Sequence, residues 1–251
     1  MIDLHCHILP GIDDGAKTTE DSLKLLAAEK RQNVNSIVFT PHYNPEKISV
    51  QDFCQARSNS FKTLISSDGF SEYEVSVKTG AEVYFSVKLR DIDIQPLCFD
   101  GTDYILIELP VNERPCGLTH TLTDIINRGY IPILAHVERY RYFTANPTML
   151  YDLVMKGCLA QVNASSIVGN NNFSSIALKY IKWEMAHIVC SDCHSIKHRP
   201  PNTKKAFLYI EKKFGKQYTD WLIKNSKDIF SGNDIDMPVI KKPKKILGVW
   251  F

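Results

Sequence analysis

The chain predicts an α/β fold in which seven parallel strands close into a TIM-like (β/α)7 barrel. Three observations predict it. Short apolar runs alternate with amphipathic stretches through most of the 251 residues, as repeated strand–helix units do. The apolar runs are near-continuous in Val, Ile, Leu, Phe and Tyr, as strands are when both faces are covered. A polar residue also closes nearly every run: His5, His42, Glu82, Glu108, His136, Asn163 and Asp192 stand at or just after predicted strand ends. Barrels of this kind carry their working groups on the rim formed by the strand C-termini. An open doubly wound sheet is the other arrangement of such units, but no Gly-x-Gly-x-x-Gly follows a strand, and the polar residues favour the barrel.

In order, the predicted strands are residues 2–5, 36–40, 75–83, 104–109, 132–136, 158–163 and 187–191. Helices are predicted over 19–32, 51–66, 118–127, 147–155, 174–184 and 202–214. Thr18 or Thr19 caps the first helix, and Glu20, Asp21 and Lys24 suit its dipole. Pro147 sits as a first-turn proline does, and Gly129 and Gly157 follow helix ends as C-terminal caps do. Gly169 to Asn172 reads as a loop. From about residue 234 the chain changes character: Lys241-Lys242-Pro243-Lys244-Lys245 precedes Ile246-Leu247-Gly248-Val249-Trp250-Phe251. This tail is an arm onto a neighbouring subunit, a contact for an acidic surface, or a terminal segment packed on its own domain. The whole chain, 1–251, is expected to be a single domain carrying that tail.

Composition narrows the function. A formal charge of +2 argues against nucleic acid as the main partner, which would demand a basic face. No run of eighteen apolar residues offers a membrane span, and the Met1-Ile2-Asp3-Leu4-His5 start is not a signal peptide. The seven cysteines (6, 54, 98, 116, 158, 190 and 193) are odd in number and irregular in spacing. They read as reduced thiols in a cytoplasm. Cys190-x-x-Cys193 is not read as a redox pair, because Cys190 belongs to an apolar strand.

Nine residues form a candidate metal set: His5, His7, Asp14, His42, Glu82, Glu108, His136, Asp192 and His194. His5 and His7 lie two apart on a strand, so both imidazoles face one way. Asp13-Asp14-Gly15 follows in a loop, where glycine lets backbone turn near a ligand. Taken singly, each histidine or carboxylate is as readily a hydrogen-bonding core residue or a helix cap. Their recurrence at successive strand ends is what points to a metal site. Three divalent ions against four carboxylates leave net positive charge even with a bridging hydroxide, which suits a phosphate dianion. Mixed nitrogen and oxygen donors fit manganese, iron or zinc better than calcium, and too few ligands to saturate three ions leave positions for water.

The motifs Ile2 to Gly15, Thr40-Pro41-His42, Gly80-Ala81-Glu82, Ala135-His136-Val137-Glu138-Arg139-Tyr140 and Ser191-Asp192-Cys193-His194 resemble the PHP (polymerase and histidinol phosphatase) superfamily. More closely, they are similar to its bacterial protein-tyrosine phosphatases from capsule and exopolysaccharide operons. The resemblance runs from Met1 to about Ser231. Val137 and Cys193 depart from the usual proline and small residue. The resemblance implies a distorted parallel barrel, the PHP fold, with a trinuclear, usually manganese-dependent site. It would place His5, His7, Glu82 and Asp192 on one ion. Glu82 would bridge to a second ion with Glu108 and His136, and Asp14, His42 and His194 would hold the third.

The chemistry then expected is phosphotyrosine hydrolysis by a metal-bridging hydroxide, with Arg139 and Arg199 as phosphate clamps whose forks match two oxygens. A phenolate of pKa about 10 leaves without a dedicated general acid. Arg141, His198, His120 and His187 are assigned to surface or structure, and the aromatic residues Tyr43, Tyr84, Phe85, Tyr140 and Tyr142 to packing before any role at the rim. The family implies a tyrosine-phosphorylated protein as partner, a cognate bacterial tyrosine kinase above all, and makes a homo-oligomer plausible. The alternatives are a PHP phosphoesterase for a small molecule such as histidinol phosphate, which would need a deep pocket; an amidohydrolase, whose carboxylated lysine is missing; and a non-enzymatic scaffold.

Overall fold

A computed structural model describes residues 1–169, 172–237 and 239–251. The chain order is β1 (Ile2–Cys6), α1 (Thr19–Arg31), β2 (Ser36–Phe39), β3 (His42–Tyr43), α2 (Val50–Ile65), β4 (Ser76–Thr79), β5 (Glu82–Tyr84), β6 (Tyr104–Glu108), α3 (Leu118–Asn127), β7 (Ile131–Leu134), α4 (Arg141–Ala145) and α5 (Thr148–Val154). It continues through β8 (Leu159–Asn163), α6 (Ala164–Val168), α7 (Ser174–Lys182), β9 (Ile188–Cys190), α8 (Thr203–Phe214), α9 (Lys216–Ser231) and a final hairpin, β10 (Lys245–Ile246) and β11 (Val249–Trp250).

The strands make two parallel ladders, β1-β2-β4 and β3-β5-β6-β7-β8-β9. They are one curled sheet broken at a corner. Thr40 and Pro41 separate β2 from β3, and Gly80 and Ala81 separate β4 from β5. Backbone bonds nevertheless run across both breaks, from Gly80 N to Phe39 O (2.9 Å) and from Glu82 N to Pro41 O (3.1 Å). At the other seam Asp192 N donates to His5 O and His7 N to Cys193 O, both at 2.9 Å. Counting each broken strand once gives the seven staves expected, in a distorted barrel. The predicted strand 75–83 is therefore corrected to two. Gly80 sits at the corner because a Cβ there would lie 2.6 Å from the Phe99 ring.

The period of two along each strand sorts side chains between layers. Leu4, Val38, Leu106, Ile133, Leu159 and Ile188, one from each of six strands, form a single apolar cluster, which is a filled barrel interior and not a pore. Their neighbours Ile105, Ile107, Leu134, Ala160, Val162 and Val189 face the other way, into the core under the helices. Each such valine, leucine or isoleucine side chain stabilises the fold by about 1.5–3 kcal/mol relative to leaving it in water.

The helices follow their local signals. Thr18 caps α1 in a reciprocal capping box with Asp21, and Lys30 and Arg31 lie in its last turn. Gly129 and Gly157 take positive φ just beyond α3 and α5. Pro147 caps α5 from outside and is not in its first turn. Helix α9 has no counterpart in the predicted set. It packs Thr219, Leu222, Asn225, Ser226 and Ile229 inward, and so many polar residues blur the apolar period. Asn225 Nδ2 donates to His187 O, 2.9 Å, which fixes α9 across the foot of β9. Between β5 and β6 only short 3₁₀ turns occur, at Val87–Arg90 and Gln95–Leu97. The tail returns to its own chain: Trp250 Nε1 donates to Ala145 O (3.1 Å) and Lys241 N to Trp183 O (2.9 Å). Of the predicted 169–172 loop, Asn170 and Asn171 lie outside the described residues. No helix among the described residues is long and apolar enough to cross a membrane.

Candidate metal centre

All nine predicted ligands meet at the C-terminal rim. Glu82, the first residue of β5, is central. Its Oε2 lies 3.2 Å from His5 Nε2, 3.2 Å from His7 Nε2 and 3.0 Å from His42 Nδ1. Its Oε1 is 2.9 Å from His136 Nε2. Glu108, ending β6 on the inward face set by Tyr104 and Leu106, brings Oε1 within 3.7 Å of His136 Nε2 and Oε2 within 3.8 Å of His42 Nδ1. Asp192 Oδ1 lies 3.6 Å from His5 Nε2 and 3.7 Å from His7 Nε2. Asp14 Oδ1 stands 3.3 Å from both His42 Nε2 and His194 Nε2.

Three overlapping groups of donor atoms lie within 4.8 Å of one another: His5, His7 and Asp192; His42, Glu82 and Glu108; and His7, Asp14, His42 and His194. His7 thus stands with two groups, and His42 reaches the Glu82–Glu108 pair as well as Asp14. The family resemblance divides these two residues differently.

The donor chemistry fits divalent cations. Gln161 Oε1 accepts from His136 N, 2.8 Å, so it faces His5 Nδ1 (3.1 Å) as an acceptor. His5 Nδ1 must therefore carry the proton, and Nε2 turns a lone pair inward. His7 Nδ1 is held by Asp13 Oδ2 at 2.7 Å and His194 Nδ1 by Asp192 O at 3.1 Å. Such outer partners orient metal-ligating imidazoles. The inward result is His5 Nε2 only 3.2 Å from His7 Nε2, two lone pairs that repel unless positive charge lies between them. Glu82 Oε2, Asp192 Oδ1 and His194 Nε2 are buried without hydrogen-bond geometry to any partner, and each points into this cluster. Buried polar atoms are rarely left so.

Electrostatics says the same. Burial opposes charge on His5 and His7, but the facing carboxylates Glu82, Asp192 and Asp13 outweigh it and raise both imidazoles. Burial likewise opposes the Glu82 carboxylate, yet His5, His136 and His7 hold it well below the usual range. Asp192 is depressed against burial by His5 and His136. Burial, and then the charge on Glu82, raises Glu108. His194 is lowered to about 3 by burial and by His7, so it is a neutral imidazole at neutral pH. His136 and Asp192 hold positive φ, 31° and 51°, conformations costing about 1–3 kcal/mol that cluster at functional sites.

The cluster grades from closed to open. His5 and His7 are buried, while Asp14 is 64% exposed, His42 36% and Glu108 23%, so the mouth is shallow. Both predicted arginines reach Asp192 Oδ2, Arg199 through a hydrogen bond and Arg139 at 3.4 Å, and each keeps part of its fork at the surface. Tyr43, Phe85 and Tyr140 are buried, and the Tyr140 hydroxyl accepts from Leu109 N at 2.9 Å. These three serve packing. His187 is also structural: its Nδ1 accepts from Ala160 N, 2.9 Å.

Four supporting roles escaped the sequence reading, although Asn163 stands at a predicted strand end and Asp13 and Glu138 lie within the motifs that carry the family resemblance. Asp13 holds His7 and also accepts from His42 N at 3.1 Å. Gln161 Nε2 donates to Asn163 Oδ1 (2.7 Å), and Asn163 Nδ2 to Asp192 Oδ2 (2.6 Å). Buried Glu138 accepts from Asn163 N, 3.1 Å. The available signal was polar residues on the inward parity of an apolar strand, in Leu159-Ala160-Gln161-Val162-Asn163.

Comparison with known proteins adds independent observations. The family described as capsular polysaccharide synthesis, CpsB/CapC, matches residues 1–231. Tyrosine-protein phosphatase YwqE of Bacillus subtilis (strain 168) is 34% identical over 259 residues, covering 99% of each chain. Tyrosine-protein phosphatase CpsB of Streptococcus pneumoniae is 31% identical, covering 93% of this chain and 96% of that one. Among solved structures, one from work on YwqE and CpsB, described as unique metal-dependent tyrosine phosphatases, superposes with a TM-score of 0.88 at 31% identity. It covers 98% of this chain and 100% of that one.

Proposed function

This chain belongs to the CpsB/CapC family of capsular polysaccharide synthesis, and from that premise we propose that it is a metal-dependent protein-tyrosine phosphatase. One observation carries the reading: nine imidazole and carboxylate side chains from strand ends and the β1–α1 loop converge on one rim, with Glu82 Oε2, Asp192 Oδ1 and His194 Nε2 buried and unpaired among them. His5, His7, Asp14, His42, Glu82, Glu108, His136, Asp192 and His194 would hold the ions. We take these to be three divalent cations, manganese first and iron or zinc as substitutes, on the strength of the mixed donor set. Bound ions would supply an activated water nucleophile and neutralise charge on the phosphoryl oxygens.

The chain's own groups do the rest. Gln161 and Asp13 set the imidazole tautomers before substrate arrives. Arg139 and Arg199 stand at the mouth with guanidinium forks that suit two phosphoryl oxygens; Asp192 holds both in place. A phenolate leaves without proton donation, consistent with the absence of an unassigned acid among the described rim residues. The exposed Asp14, His42 and Glu108 leave the mouth open to a protein-borne phosphotyrosine, and the relatives named tyrosine-protein phosphatases favour that substrate over histidinol phosphate. The physiological partner we infer is a tyrosine-phosphorylated protein, a cognate tyrosine kinase in particular, in the cytoplasm. Seven free thiols support that setting.

The test is metal analysis of the purified protein, paired with p-nitrophenyl phosphate turnover before and after chelation. Bound divalent metal, loss of turnover on chelation and recovery on adding manganese are expected. His136→Ala should abolish turnover while leaving the circular dichroism spectrum intact. Full turnover by a metal-free protein would sink the reading.

A further inference from the structure

A cavity of about 800 Å³ opens directly from the metal rim. Asp14, His194 and Arg199 form its inner end, and it runs between α1 and the loop 195–199. The ligand set needs none of its outer part. The lining there is apolar at Ala27 on α1 and Ile196 on the loop, while the rim is cationic. Five lining residues carry a fixed positive charge (Lys17, Lys24, Arg31, Lys197 and Arg199) against two carboxylates, Asp14 and Asp21. Asp21 is committed to the cap of α1. Arg31 and Lys197, on opposite walls, have no ion-pair partner among the described residues, whereas Lys24 pairs with Glu20 at 2.7 Å.

We propose that this groove binds the polypeptide flanking the phosphotyrosine, and that its cations select acidic residues there. The inference rests on the phosphatase reading above and names the substrate class for that site. Along α1 the lining runs from Asp21 to Arg31, which at 1.5 Å per residue is about 15 Å. An extended peptide advancing about 3.3 Å per residue places four to five residues over that length. Arg31, at the outer end of that run, therefore meets a side chain several positions from the phosphotyrosine, with Lys197 on the loop opposite, while the apolar lining takes the peptide's aliphatic stems. The metal rim alone would read only the phosphate; the groove adds sequence preference. Because these cations are exposed, the preference is screened by salt.

The experiment compares phosphotyrosyl peptides of one length, carrying Glu or Gln at positions two to five on either side of the phosphotyrosine. Each is measured with manganese present, alongside p-nitrophenyl phosphate, which is too short to leave the rim. Glu peptides should exceed Gln peptides in kcat/KM by about tenfold on one side, through KM, and the ratio should fall with rising salt. Arg31→Gln with Lys197→Gln should bring the ratio to about one, and the charge reversals Arg31→Glu with Lys197→Glu should invert it, with p-nitrophenyl phosphate turnover kept as the measure of an intact rim. An identical ratio in wild type and both double variants, with that turnover normal, overturns the groove alone. Absence of p-nitrophenyl phosphate turnover in the metal-loaded wild type overturns the phosphatase reading and the groove with it.

Discussion

Gln161 sits beneath the candidate ligands and governs two of them. One oxygen accepts from the His136 amide and faces His5 Nδ1, and its amide nitrogen anchors Asn163, which anchors Asp192. Gln161→Leu keeps the volume and removes every one of these bonds. Metal affinity and p-nitrophenyl phosphate turnover should fall 10- to 100-fold, as for other outer partners of ligands, with the fold retained; metal titration and circular dichroism check both. The nine candidate ligands were legible because histidine and carboxylate at or near strand ends are conspicuous types in a conspicuous place. Gln161 and Asp13 were not, since a neutral amide or a second aspartate in Asp13-Asp14 reads as ordinary until its partner is known. His187 carries a separate prediction. Burial lowers its folded pKa to about 3, whereas the unfolded value is about 6.5. The unfolded chain therefore binds the extra proton across that window, and stability falls as pH drops from about 6.5 towards 3, by up to about 1.4 kcal/mol per unit. Urea unfolding of the chelated protein should show this slope, and His187→Asn should flatten it; equal slopes would remove His187 from the account.

The loop between β1 and α1 shows how an element delivers chemistry. It carries Asp13 and Asp14 and folds back on β1 through Ala16 N to His7 O, 3.0 Å. The close approach requires Gly15, where a Cβ would lie 2.1 Å from the His7 carbonyl oxygen, a backbone atom with nowhere to go. Gly15→Ala should displace the loop, cost about 1–3 kcal/mol as overpacked sites do, and reduce turnover more than it reduces melting temperature, because Asp13 and Asp14 move together. A variant with unchanged turnover would show that the loop does not position ligands. Glycine after the paired aspartates was visible in the sequence; what it touches was not. The same contrast runs through the strands. Residues 75–83 mix Val75, Val77, Ala81 and Val83 with polar residues and no proline, so they read as one strand, and the Phe99 ring packed on Gly80 explains why the chain turns and presents Glu82 at the rim. Helix α9 was missed for the converse reason. Its buried face carries Thr219, Asn225 and Ser226: Asn225 bonds to the barrel foot, and the two hydroxyls donate to carbonyls one turn back, so the apolar stripe that periodicity detects is interrupted.

Across the whole molecule, the candidate ligands come from strand ends that the hydrogen-bonded ladders leave in separate sheets. The ladders are split between β2 and β3 and between β4 and β5, and candidate ligands stand just after those breaks and at the β9–β1 seam. His42 and Glu82 follow the two corners, while His5, His7, Asp192 and His194 flank the seam. Ions shared among them would add cross-links to the few backbone bonds that span the corners and the seam. Divalent metal should accordingly stabilise the global fold and not only the mouth. A ligand held at a hundred times its dissociation constant contributes about 2.7 kcal/mol, and for a chain of this size each kcal/mol moves the midpoint by about 2–4 °C. Calorimetry of the metal-loaded protein before and after chelation should thus show one cooperative transition shifted down by roughly 5–11 °C. A chelated protein that loses turnover at an unchanged midpoint would confine the ions to chemistry, and the barrel would then owe its closure to the β9–β1 backbone bonds and the apolar layer alone.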